Sequence, residues 1–165
     1  MRSPARASER LALIEEVVTA PAYSLAGLAR GRLVYTSTVE GSTDLWSLDL
    51  EKGGVARLTS GGVHTVARPR PESGYVVYTR DVSGGRELQR VYAVSASGGE
   101  HIELGPPEPR RVLGLAFDGE RVALAAAGEG VELWRGRGET ALGPGDGMGD
   151  GLPRRAGRRA GGAQG

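Results

Sequence analysis

The chain has 165 residues, of which 39% are hydrophobic and 25% charged, the balance of a globular protein with room for one core. Its net charge is +1; taking away the four arginines and two aspartates of residues 143–165 leaves −1 over 1–142, so charge gives no reason to expect nucleic acid or a membrane as partner. Cysteine is absent, which excludes disulfides and thiolate metal sites, and no apolar run approaches the roughly 18 residues that cross a bilayer.

The opening segment, MRSPARASERLALIEEVV, has no uninterrupted apolar core before Glu15 and Glu16, so a secretory leader is not expected and a cytoplasmic setting is. Residues 1–21 are expected to form one helix. Ser3-Pro4 or Ser8 supplies its cap, and Leu11, Ile14, Val17 and Val18 draw an apolar stripe along one face. Pro21 ends it. A single amphipathic helix cannot bury that stripe by itself, so it must dock on something.

From Tyr23 onward the pattern changes to short strands broken by glycine-bearing turns. Strands are expected near 23–29, 32–39, 44–50 and 55–59, then near 63–68, 75–81, 88–95 and 101–104. A third group falls near 111–117, 121–127, 131–135 and 139–142. Turn chemistry separates them at Gly53-Gly54, Gly61-Gly62, Gly84-Gly85, Gly98-Gly99 and Asp118-Gly119. The 28 glycines, far above the roughly 7% of an average protein, are divided between these turns and the C-terminal segment.

The three groups are a repeat. Leu33-Val34-Tyr35-Thr36 aligns with Val76-Val77-Tyr78-Thr79 and with Val122-Ala123-Leu124-Ala125, and a third-strand aromatic recurs as Trp46, Tyr92 and Trp134. Each group closes on leucine: Leu58, Leu104 and Leu142. Four strands at a period of about 40–45 residues are the mark of β-propeller blades. The expected fold class is therefore all-β: an incomplete propeller of three four-stranded blades, at 22–60, 61–105 and 106–142, preceded by the helix. Trp46 and Trp134 are expected in the core, between blades, rather than as a ligand platform. Propellers have about 4–8 blades, so three leave apolar faces uncovered, which invites self-association.

Residues 143–165 carry nine of the glycines and one large aliphatic side chain, Leu152. Such a segment cannot bury enough apolar area to offset the entropy of ordering, so a disordered tail is expected. Its GPGDGMGDG stretch lacks the regular hydrophobic position of calcium-binding glycine-aspartate repeats. The abrupt change where a fourth blade should begin also fits a truncated or frame-shifted gene, and the sole lysine, Lys52, with no asparagine, fits a GC-rich genome.

No catalytic, cofactor-binding or metal-binding residue can be assigned. The GxSxG elbow, GxxxxGK[ST], HExxH and the dinucleotide glycine fingerprint are all absent. His64 and His101 fall on different expected strands without ligand spacing, so a structural or exposed role is expected for both. Asp44, Asp49, Asp81, Glu87 and Asp118 lie in or beside turns, where carboxylates accept backbone N–H bonds or face water.

The runs ERLALIEEV, YSLAGL, STVEGSTDLW and YTRDVSGGRELQRVYAVSASGGE resemble the N-terminal part of archaeal acylaminoacyl peptidases, of the prolyl oligopeptidase family. The resemblance covers about residues 8–142, and its most specific part is Val77 through Val94, with Arg80-Asp81-Val82-Ser83 and Gly85. It implies an N-terminal helix that packs on an α/β-hydrolase domain, and a seven-bladed propeller that admits peptide substrates to a Ser-His-Asp site in that domain. None of the triad is carried onto this chain, which is expected to be inactive alone. The implied partner is the hydrolase domain; a free-standing interaction module of the TolB or WD type, completed by self-association, is the other reading.

Overall fold

The computed structural model describes Glu15, residues 19–127, and the backbone of 131–137 and 154–155. The chain forms antiparallel sheets, three in number among the described residues. The first contains β1 (Tyr23–Ala29), β2 (Arg32–Ser37), β3 (Asp44–Asp49) and β4 (Val55–Arg57), in that order. The second contains β5 (Tyr75–Asp81), β6 (Gln89–Ser95) and β7 (His101–Leu104). The third contains β8 (Arg111–Phe117), β9 (Arg121–Ala127), β10 (Val131–Arg137) and β11 (Arg154–Arg155), ordered β11-β10-β9-β8. The expected N-terminal helix lies almost wholly outside the described residues. No described helix is long and apolar enough to cross a membrane.

Local chemistry explains the hairpins. The β1–β2 turn puts Arg30 at φ 40° and Gly31 at φ 76°, two consecutive left-handed residues of the kind whose twist suits a two-residue hairpin. Arg30 accepts the strain because its amide donates to Pro71 O at 2.9 Å. The expected strand at 63–68 is not regular. It runs beside β5 through Ala67 N to Val77 O and Thr79 N to Thr65 O, but Val63 N turns away to Thr43 O and Thr65 N turns to Thr79 Oγ1. Pro69 and Pro71, which have no N–H to give, follow at once. Only the Val66–Tyr78 bridge remains as formal pairing.

In the third sheet, the segment beside β10 is Arg154–Arg155, opposite Leu133 and Glu132. The expected strand 139–142 lies outside the described residues, as does the rest of the expected tail.

The ladders place the repeat in register. Tyr35 stands opposite Trp46, Tyr78 opposite Tyr92, and Leu124 opposite Trp134. Residues directly opposite in an antiparallel pair share a face, so each sheet carries one such pair at the same place. The core lies between sheets in two clusters. Between sheets one and two are Ala29, Val34, Leu45, Leu58, Val76, Tyr78 and Val94. Between sheets two and three are Val77, Val91, Ala93, Leu104, Phe117, Val122 and Leu124. Alternation along β5 splits its residues between the clusters: Val76 and Tyr78 face one neighbour and Val77 the other.

Candidate functional site

Three places gather polar or aromatic groups: a carboxylate node in sheet one, an aromatic–histidine cluster on sheet two, and the outer face of sheet one.

Asp44 begins β3 with no exposed surface. Its Oδ1 accepts from Thr59 Oγ1 at 3.0 Å and from Gly62 N at 3.1 Å. Its Oδ2 accepts from Ser42 Oγ at 2.7 Å and from Arg57 Nη2 at 2.6 Å. Burial pushes the carboxyl toward protonation, but the donors from Ser42, Arg57, Gly62 and Thr59 together outweigh it and hold the pKa below its ordinary 3.8. Four donors saturate the group, so this carboxylate ties turn to strand and has no lone pair free for a substrate.

The other carboxylates singled out above also serve turns. Asp49 accepts from Glu51 N and Lys52 N, Asp81 from Ser83 N and Gly85 N, and Asp118 from Glu120 N and Arg121 N. Glu87 instead pairs with Arg111 at 2.7 Å. Backbone donors from Arg121 and then Glu120 lower Asp118 to about 2.

On sheet two, Tyr78 is fully buried and stacks on Tyr92 with centroids 5.7 Å apart. Its hydroxyl is hydrogen-bonded to His101 Nδ1 at 2.7 Å, and the Arg80 guanidinium sits 5.8 Å over the Tyr92 ring. Burial first, and then the charge of Arg80, hold His101 below its ordinary pKa, which favours the neutral imidazole. No serine hydroxyl and no carboxylate completes it as a catalytic relay among the described bonds. His64 is exposed, its Nδ1 3.2 Å from Thr65 Oγ1. The two histidines meet different partners, and no three of His, Asp and Glu converge among the described residues. Sequence reading did not find the Tyr78–His101 bond, since 23 residues separate its partners.

Two concavities lie on the described surface. One, about 460 Å³, is lined by Glu72, Ser73, Asp118, Gly119, Glu120 and Arg121. Its Ser73 hydroxyl accepts from Tyr75 N at 3.1 Å, a local turn bond, and no described bond joins it to a carboxylate of the wall. The other, about 540 Å³, lies where β1 bulges and is lined by Ser24, Leu25, Ala26, Gly27, Thr36, Val66 and Arg68. Gly27 adopts φ 153° there, and a Cβ on it would come within 3.1 Å of Pro69. The bulge exists so that β1 can approach the next segment closely. In neither concavity does a described bond join a hydroxyl to a carboxylate.

Trp46 corrects an expectation. It lies in neither core cluster and is half-buried, on the outer face of sheet one with Tyr35. Arg57 covers its ring at 5.7 Å, and its indole N–H is shielded from solvent with no acceptor among the described residues. The register position is the expected one; what is lacking is a described sheet on that side. Trp46→Ala should therefore cost only about 1–2 kcal/mol, below the range for a fully buried tryptophan, by denaturant unfolding. A loss above that range would show the ring covered.

Repeated antiparallel sheets, stacked through apolar faces, define the class: an all-β repeat domain. Residues 34–135 match the family model described as "Acylamino-acid-releasing enzyme-like, N-terminal domain". The match covers more than half of the sequence, and the chain belongs to that family.

Proposed function

We propose that the three sheets are blades of a β-propeller that forms the access-controlling part of an acylaminoacyl peptidase-like serine hydrolase, and that they take no part in its chemistry. The observation that carries this reading is the thrice-repeated cross-strand pair, Tyr35–Trp46, Tyr78–Tyr92 and Leu124–Trp134, within the segment that matches the family. A repeat of about 40–45 residues with one sheet per repeat is what radial blades require. The family's description names an acylamino-acid-releasing enzyme, which is consistent with an N-acylated peptide as the substrate of the whole enzyme. Rigid stacked blades beside a hydrolase site would admit such peptides and turn away folded proteins by size.

The test has two arms. The purified chain should hydrolyse no N-acylated peptide or p-nitrophenyl ester; turnover that co-purifies with it through successive chromatographic steps would overturn the non-catalytic assignment. Added to a separately produced hydrolase domain of the family, it should bind and suppress cleavage of long peptides more than short ones. Equal effects on both lengths would remove the access role.

A further inference from the structure

We propose that the concavity at the β1 bulge binds the terminal carboxylate of an amino-acid-sized ligand, with Arg68 and the hydroxyls of Ser24 and Thr36 as its donors. The cavity, about 540 Å³, lies between sheet one and the irregular run that leads into sheet two. Ser24 stands opposite Thr36 in the β1–β2 ladder, so the two side chains share one face. The irregular run contributes Val66 and Arg68. Ala26 and Val66 also pack on the cluster that joins the two sheets, which gives the cavity an apolar base.

The donor set points to the ligand. Among the described residues, neither hydroxyl nor the Arg68 guanidinium holds a hydrogen bond or an ion pair. No carboxylate lines this wall, whereas the other concavity sets Glu72, Asp118 and Glu120 beside its one arginine. The chain already builds the same set around a carboxylate of its own. Asp44 is held by a serine hydroxyl, a threonine hydroxyl and a guanidinium, those of Ser42, Thr59 and Arg57. At the bulge the same three donor types line one cavity that contributes no acid itself.

The backbone of Arg68 is fixed on both sides. The residue is exposed, but its neighbours are buried. Ala67 N donates to Val77 O at 2.9 Å, and Pro69 lies so near Gly27 that a Cβ there would come within 3.1 Å of its ring. A guanidinium on a fixed backbone loses less freedom on binding than one on a mobile loop. Its planar fork matches a carboxylate through parallel N–H bonds. The volume exceeds a lone carboxylate and falls within the roughly 300–1,000 Å³ of small-molecule sites. The apolar base suits a small aliphatic group next to the acid. The ligand is therefore an N-acyl amino acid or the last residue of a peptide, which share this chemistry. The inference does not rest on the peptidase reading.

NMR titration of the purified chain at low salt tests it, with N-acetylalanine and N-acetyltrialanine as probes. Both should shift the amides of residues 24–27 and 66–68 and bind with a Kd on the order of 1 mM. Their C-terminal amides should bind about 10-fold more weakly or less well still. Equal affinity of the two acids assigns the site to the terminal residue alone, and tighter binding of the longer acid assigns it to a peptide; either result sustains the proposal. Arg68→Gln should weaken binding by about 10-fold or more, and Ser24→Ala with Thr36→Val by about 3-fold or more. Arg70→Gln removes the same charge from an exposed residue outside the lining and should leave affinity within about twofold. Acids that shift no amide of the cavity would overturn the proposal. So would amides that bind as tightly as the acids, or equal losses in Arg70→Gln and Arg68→Gln. If Arg68→Gln loses its circular dichroism, Arg68→Lys takes its place and should still weaken binding by about 3-fold or more, since it lacks the fork. No hydrolase takes part, so the peptidase reading can fail without touching this result.

Discussion

Tyr78→Ala should remove about 3–5 kcal/mol of stability, the largest loss expected from one apolar site in the chain. The ring is fully buried, stacks on Tyr92, and sits in the cluster that joins sheets one and two. Truncation would therefore open a cavity at a junction, not at an edge. Tyr78→Phe keeps the packing and loses only the bond to His101, so about 1 kcal/mol is expected. Urea unfolding of both variants checks the ordering; equal losses would show that the hydroxyl, not the ring, matters.

The same residue predicts behaviour in base. Burial pushes the Tyr78 phenol from 10.0 up to about 12, with Arg80 opposing and Tyr92 adding to the shift. Folding thus favours the protonated phenol. Its contribution is fully present below pH 10 and declines as pH rises toward 12. Tyr78→Phe should flatten that part of the stability profile, and tyrosinate absorbance should show one group that ionises late. A profile unchanged by the substitution would count against the shift.

Asp44→Ala should cost about 3–5 kcal/mol, because removing one partner of a shielded ion pair strands the others. Arg57 would lose its 2.6 Å partner, and Thr59 Oγ1 and Gly62 N would lose their acceptor. Asp44→Asn restores acceptor capacity on one oxygen but adds an N–H2 where Ser42 and Arg57 both donate, so it should fall between the native chain and Asp44→Ala. Because the folded pKa lies below 3.8, the carboxylate stabilises the fold above that pH and ceases to do so as acid takes the solution through the lower folded value. Acid unfolding of Asp44→Asn should lack that part of the slope. Comparable slopes in the two chains would place the acid sensitivity elsewhere, with Asp118 the next group to replace.

Much of the fold was legible from residue order. Most strands from Tyr23 to Arg137 are runs of six or seven residues, β4 and β7 being shorter, and the signal for each lies within the strand. The glycine turns follow from local φ requirements, as at Arg30-Gly31. The spacing of Tyr35, Tyr78 and Leu124 located one equivalent position in each sheet, and the ladders set each opposite its third-strand aromatic. The family resemblance rested on the same segment, and the match over residues 34–135 agrees with it.

The irregular run at 63–68 was harder to read, because its Val and Thr alternation resembles a strand. The contacts that disturb it come from Thr43 and Thr79, distant in sequence. The saturation of Asp44 likewise depends on donors up to 18 residues away. Composition, period and turn chemistry were thus determined by the sequence itself, since each is an interaction among neighbours. Tertiary structure alone decided which equivalent faces are covered. Tyr78 and Trp46 occupy matching sheets and matching types of strand pair, yet one is sealed between two sheets and the other lies half-open, because burial belongs to what stands opposite a face and not to the residue that occupies it.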